Sequence, residues 1–184
     1  MQIERVWEMP NKYTFKMRCV SSLLREEMQG IWADPFCGTD SPAQIRNDAD
    51  PEISAEHHLD GLDFLRTLAD QGVDGILFDP PYSTEQALRK YKPKHMGTAG
   101  RAEYWARCLD EVARTIRTGG KLIRFGWDSC GAGQGRGFEL NRILLICHGA
   151  LHNDTIVTVE ERMASHQDEM WGSTARPDAY QSQT

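Results

Sequence analysis

The sequence has no long hydrophobic run. Its apolar stretches, such as Ile143 to Cys147, are far too short to cross a bilayer. Its start, Met1-Gln2-Ile3-Glu4-Arg5, leads into no apolar segment of the kind that directs secretion. Paired cysteines are absent as well. Cys19, Cys37, Cys108, Cys130 and Cys147 form no C-x-x-C motif, and their number is odd. That fits free thiols in a reducing cytoplasm better than a disulfide framework. There is no H-E-x-x-H. His148 and His152 lie around turn-forming Gly149, and His57-His58 with Asp60 reads as a polar turn, so no metal site is expected. Internal repeats and low-complexity tracts are missing. Positive charge is in deficit: 21 Lys and Arg stand against 27 Asp and Glu, a formal charge of −6. This excludes a uniformly basic nucleic-acid-binding surface, but not a local basic face. With 184 residues, a second large domain is excluded too.

What is present is an alternation of short apolar runs with helical patterns. Val20, Leu23, Leu24 and Met28 recur at helical spacing. Ile31-Trp32-Ala33 reads as a buried strand ending at Asp34, and Gln44 to Asn47 as a second, short one. Gly61 to Gln71 places Leu62, Leu65, Leu68 and Ala69 on one helical face. Val73 to Phe78 is a continuous apolar strand apart from Asp74 and Gly75. Glu103 to Arg117 is a long amphipathic helix closed by Gly119-Gly120, followed by a strand from Lys121 to Trp127. Arg142 to Cys147 and Thr155 to Glu160 are rich in β-branched and aliphatic residues. The turn residues between them predict an antiparallel hairpin. The expected fold is therefore α/β: a mostly parallel sheet covered on both faces, with a C-terminal antiparallel hairpin that adds one antiparallel edge strand. Residues 1–164 form one domain. Residues 165–184 are polar and aperiodic, and are expected to form a flexible tail.

In such sheets ligands sit beyond the carboxyl ends of the strands. The first strand ends in Asp34-Pro35-Phe36-Cys37-Gly38-Thr39, where an acid leads into a Gly-bearing turn that lets a ligand approach the backbone. The second ends in Asn47-Asp48-Ala49-Asp50, and a carboxylate there can accept hydrogen bonds from ribose hydroxyls. Asp60 precedes the Gly61 helix as a third acid. Asp79-Pro80-Pro81-Tyr82 follows the Val73 to Phe78 strand directly. Two prolines stiffen this backbone, and a proline carbonyl still accepts a hydrogen bond. Asp79 and the Pro80 carbonyl can therefore face an amino group as acceptors, while Tyr82 offers a ring for stacking. The set suits a planar exocyclic NH₂.

These residues resemble the amino-methyltransferases of DNA, enzymes that transfer the methyl of S-adenosylmethionine (SAM) to adenine N6 or cytosine N4. Asp79-Pro80-Pro81-Tyr82 is similar to their catalytic motif in its adenine-type form, and Asp34-Pro35-Phe36-Cys37-Gly38 to their SAM-binding motif. Thr14-Phe15-Lys16-Met17-Arg18 resembles a preceding segment that borders SAM. Small phage-type adenine methylases carry N-D-x-x-P-E after the SAM motif, matched by Asn47 to Glu52. Phe125-Gly126-Trp127-Asp128-Ser129 is also similar to that group. The resemblance spans about Thr14 to Arg162. It departs from the family at Arg18-Cys19, where Lys-Pro is usual, and at Thr39-Asp40, where a second glycine is usual. Only Thr39 to Ala43 separate the loop from the second strand, so the first crossover helix must be very short or that strand lies elsewhere.

The resemblance implies a Rossmann-like SAM-dependent methyltransferase fold and direct transfer to a flipped-out adenine, without a covalent enzyme intermediate. It makes Asp79, Pro80, Pro81 and Tyr82 catalytic. It assigns SAM binding to Phe15, Arg18, Asp34, Pro35, Phe36, Cys37, Gly38, Asp48 and Asp60. Cysteine-based C5 methylation does not fit, since no proline is followed by cysteine.

Charge adds a candidate DNA contact. From Arg89 to Arg124 ten basic residues face three acids, a local balance of +7, so the remainder carries −13. Lys90-Tyr91-Lys92-Pro93-Lys94 interleaves an aromatic with positive charge, and Arg89, Lys90, Lys92 and Lys94 are the expected phosphate contacts. No separate target-recognition domain fits in the residues after Tyr82. Specificity then comes from the Ser83 to Gly100 loop, a second copy of the chain or a recognition partner. Two alternatives stand beside the DNA reading: an RNA methyltransferase, since some carry D-P-P-[YF], and a catalytically silent methyltransferase-like subunit.

Overall fold

The apolar runs become strands of a single sheet in the computed structural model, whose described residues are 1–81, 101–149 and 152–164. In chain order they are β1 (Gln2–Trp7), β2 (Trp32–Asp34), β3 (Ile45–Arg46), β4 (Val73–Phe78), β5 (Ile116–Gly126), β6 (Phe138–Cys147) and β7 (Thr155–Arg162). Among the described residues three α-helices intervene: α1 (Arg18–Glu27), α2 (Gly61–Thr67) and α3 (Arg101–Thr115). The strand order is β1-β6-β7-β5-β4-β2-β3. Neighbours are parallel except at β7, which runs antiparallel to both β5 and β6.

Side-chain alternation sorts the core onto two faces. Leu77, Ile123, Phe125, Val157 and Val159 face α1, which buries Val20, Leu23 and Leu24 against them. Ile76, Phe78 and Leu122 face α2 and α3, where Leu62, Phe64, Leu65, Cys108 and Val112 close the other layer. Burial of side chains this size supplies about 1.5–3 kcal/mol each relative to exposure.

The α/β fold, the hairpin and the bounds of Val73–Phe78 match the sequence reading. The antiparallel strand, however, is not an edge strand. β7 is inserted between β5 and β6, and the edge is taken by β1, which pairs with β6. The second strand is present as Ile45–Arg46, with no helix between it and β2. Helix α2 stops at Thr67 rather than Gln71, and its buried face includes Phe64 while Leu68 serves as its C-terminal cap. Helix α3 stops at Thr115, because Ile116 already pairs with Val73. No helix among the described residues is long and apolar enough to cross a membrane. The predicted tail, 165–184, lies outside the described residues.

Candidate active site

Strands β2, β3 and β4 end side by side, and their exits carry Asp34, Asn47-Asp48 and Asp79. The turn after β2 is closed by side chains. Asp34 is fully buried; its Oδ1 accepts from the Phe36 N–H (2.9 Å) and its Oδ2 from Ser41 Oγ (2.6 Å). Asp48 Oδ2 accepts from the Gly38 N–H (3.0 Å), and its Oδ1 from the Asp50 N–H (3.0 Å). Gly38 sits at φ +53° with open space where a side chain would project, so the turn leaves its backbone approachable.

Asn47 joins three segments. Its amide donates to the Pro35 and Leu59 carbonyls (3.0 Å each) and its Oδ1 accepts from the Leu59 N–H (2.9 Å). Its own N–H donates to the Asp34 carbonyl, and its carbonyl accepts from the Cys37 N–H (2.9 Å each). Buried polar groups need such partners, and here one side chain satisfies the loops after β2 and β3 together.

Negative charge is concentrated here. Burial, then the charges of Asp79 and Asp48, raise the Asp34 carboxyl to about 7, against the hydrogen bonds it accepts. Burial and the neighbouring Asp34 and Asp48 push the Cys37 thiol up to about 12, so it stays protonated.

The other candidate cofactor residues are distributed around this turn. Phe15 lies in a short 3-10 turn, and its N–H donates to Asp40 Oδ2 (3.1 Å). Asp40 thus ties the first segment to the strand exit. The Phe15 ring itself is core, edge-on to Phe125 at 5.5 Å. Arg18 opens α1 with an exposed side chain; its N–H donates to Glu8 Oε1 (2.8 Å). Asp60 caps α2 by accepting from the Leu62 N–H (3.0 Å), and also accepts from the Tyr104 hydroxyl (2.9 Å). Burial and the nearby Cys108 and Asp60 hold that phenol well above its ordinary range. Phe36 packs edge-on to Phe78 (5.4 Å) and Trp105 (5.8 Å). Gly61 permits this, because a Cβ there would come within 2.5 Å of the Phe36 ring.

Beyond the end of β4, Pro80 and Pro81 line a cleft of about 260 Å³. Its other walls are Phe78, Trp105 and Leu109 and the β5 exit, Arg124 to Asp128. Asp79 is not among the residues that line it. Nothing in the sequence pattern announced this cleft beyond the resemblance at Phe125 to Ser129, since α3 and β5 meet only in the fold. Tyr82, Arg89, Lys90, Lys92 and Lys94 lie outside the described residues, as does the Ser83 to Gly100 loop.

The described part of the basic segment does not form a free basic face. Arg107 pairs with Glu103, Arg114 with Asp70 and Glu111, Arg117 with Asp74, Lys121 with Glu27, and Arg124 with Asp128. Glu27, Asp70, Asp74 and Asp128 come from outside the segment, so these five described cations each have an acidic partner.

No protein-family model and no curated protein matches the sequence. Solved structures do resemble the chain. TrmN from Thermus thermophilus aligns with 80% of it at 16% identity and a TM-score of 0.53. A Burkholderia thailandensis 1,6-didemethyltoxoflavin-N1-methyltransferase, solved with 1,6-didemethyltoxoflavin and S-adenosylhomocysteine, aligns with 80% at 11% identity and 0.51. NSun6 from Pyrococcus horikoshii aligns with 79% at 13% identity and 0.50. The chain spans about half the length of TrmN and NSun6 (49% and 51%) and 78% of the toxoflavin enzyme. The fold of this chain is thus the Rossmann-like fold of SAM-dependent methyltransferases.

Proposed function

We propose that the protein is a SAM-dependent DNA adenine-N6 methyltransferase. One observation carries the reading: Asp79-Pro80-Pro81 leaves a central strand of a methyltransferase fold beside the acidic turns of Asp34 and Asp48. The site's donor set fits SAM. The Asp48 carboxylate on this turn suits a cationic, hydroxyl-bearing ligand, and the open backbone at Gly38 admits close approach. Asp48 and the turn from Pro35 to Gly38 would hold it, while Asp34, Phe36 and Asp60 shape that turn. When bound, SAM would supply an electrophilic methyl to the adenine nitrogen, with S-adenosylhomocysteine as the leaving group and one amino proton released to water.

The chain's own part is to place the nitrogen. Asp79 and the Pro80 carbonyl accept from the amino group and stabilise the positive charge that develops on it. Stacking on Tyr82 contributes roughly 1–3 kcal/mol, offsetting much of the few kcal/mol that flipping a base costs. Cys37 takes no part as a nucleophile, since its thiol stays protonated. Phosphate contact falls to Arg89, Lys90, Lys92 and Lys94.

The test is incubation with labelled SAM and unmethylated DNA or RNA, followed by nucleoside mass spectrometry. The reading expects N6-methyldeoxyadenosine from DNA. Methylguanosine, or methylation of RNA alone, overturns the DNA assignment. Absence of both transfer and SAM binding points instead to a silent subunit.

A further inference from the structure

The cleft beside Pro80-Pro81 has a composition unlike the acidic turns. Among the described residues, Phe78, Pro80, Pro81, Trp105, Leu109 and Trp127 give it flat, apolar walls, and the charged side chains that line it are Arg124 and Asp128. Such a lining, mostly apolar with few fixed polar groups, suits a small planar ligand. Arg124 is nearly buried, its side chain 18% exposed. Strand register puts Arg124 opposite Phe78, two residues before Pro80 on the neighbouring strand. Asp128 clasps the guanidinium with both oxygens, at 3.0 and 3.2 Å, and its Oδ1 also accepts from the Cys130 N–H (3.0 Å). The hydrogen bonds from Arg124, foremost, and then the Cys130 N–H and the Arg124 charge hold the Asp128 carboxyl down at about 2 despite partial burial, so the clasp persists across the ordinary pH range. Trp127 lies between the two clasped residues in sequence, so the clasp also fixes where this wall stands.

The paired carboxylate matters for what the cation can bind. It neutralises Arg124 and thereby disfavours a phosphate, but it uses two of the five guanidinium N–H groups. A fixed N–H beside an apolar slot favours a neutral acceptor, such as an unprotonated ring nitrogen. We propose that this cleft seats the target base and that Arg124 selects it, donating a hydrogen bond to adenine N1, the ring nitrogen next to the methylated amino group. Guanine carries N–H at that ring position, which would set donor against donor. The proposal rests on the adenine-N6 reading above and assigns base choice to a residue outside the Asp79-to-Tyr82 motif.

The test uses the full chain with three oligonucleotides that differ only at the target: adenine, 1-deazaadenine or 7-deazaadenine. For the wild type, kcat/KM falls at least about tenfold with 1-deazaadenine, the loss of a hydrogen bond to a charged donor. It is little changed with 7-deazaadenine, which keeps N1. Arg124→Met, checked for folding by thermal melting and SAM calorimetry, loses a similar factor on adenine and treats all three alike. The wild-type comparison stands by itself if that variant fails to fold. Equal wild-type rates on adenine and 1-deazaadenine overturn the proposal and leave the adenine reading intact, as does an Arg124→Met protein that still discriminates. Transfer to none of the three overturns the adenine reading and this proposal with it.

Discussion

Two regions at the carboxyl end of the sheet are built from opposite materials. Around the β2 and β3 exits, polar groups stitch the loops together, and Asp34, Asp48 and Asp79 concentrate negative charge. Around the β4 and β5 exits, prolines and aromatic rings form a slot with one clasped ion pair. The first suits a cationic, hydroxyl-bearing ligand; the second suits a flat neutral ring. In this account they are the two halves of one methyl-transfer site, meeting at Asp79-Pro80-Pro81.

The largest expected effect falls at that junction. Asp79→Ala should lower kcat by about 10²–10³ in the methylation assay, the usual loss when a group stabilising developing charge is removed. SAM affinity by calorimetry should shift by no more than about threefold. A large loss of SAM binding would merge the two halves that are separated here. Next comes Asn47→Ala, which takes this partner from the buried Pro35 carbonyl and from the part-buried Leu59 backbone groups. It should lower unfolding stability by about 3 kcal/mol in urea titration and weaken SAM binding too. Gly61→Ala, which forces the Phe36 ring to move, should cost about 2 kcal/mol by the same measurement.

A further effect is one of pH. The folded-state pKa of Asp34, about 7, lies above its ordinary 3.8. Between those values the unfolded chain has released a proton that the native state keeps, so this group's contribution to stability falls as pH rises from about 4 to 7 and is flat above. Asp34→Asn should remove that slope from a series of melting temperatures. An unchanged slope would place the titration in another group.

Much of this architecture is legible in the chain because it is local. The run from Val73 to Phe78, the turn residues between β6 and β7, and Asp79-Pro80-Pro81 at a strand exit all declare themselves within a few residues. β1 escaped because an edge strand with Ile3 and Trp7 exposed has no clean alternation to read. The insertion of β7 between β5 and β6 is a choice of partner, which a local pattern does not encode. Charge pairing is non-local for the same reason. Lys121 is neutralised by Glu27, 94 residues away, and Arg117 by Asp74, 43 away. The turn around Asp34 was visible as a motif, but its fastening through Asn47, Ser41 and Asp40 was not, because those bonds form between separate loops.

The division of labour itself is tested by SAM titration calorimetry on two variants. Asp48→Asn, on the acidic side, should weaken SAM binding at least about tenfold, whereas Arg124→Met, in the cleft, should leave it within about threefold of wild type. The reverse pattern, with affinity lost at Arg124 and kept at Asp48, would contradict the account.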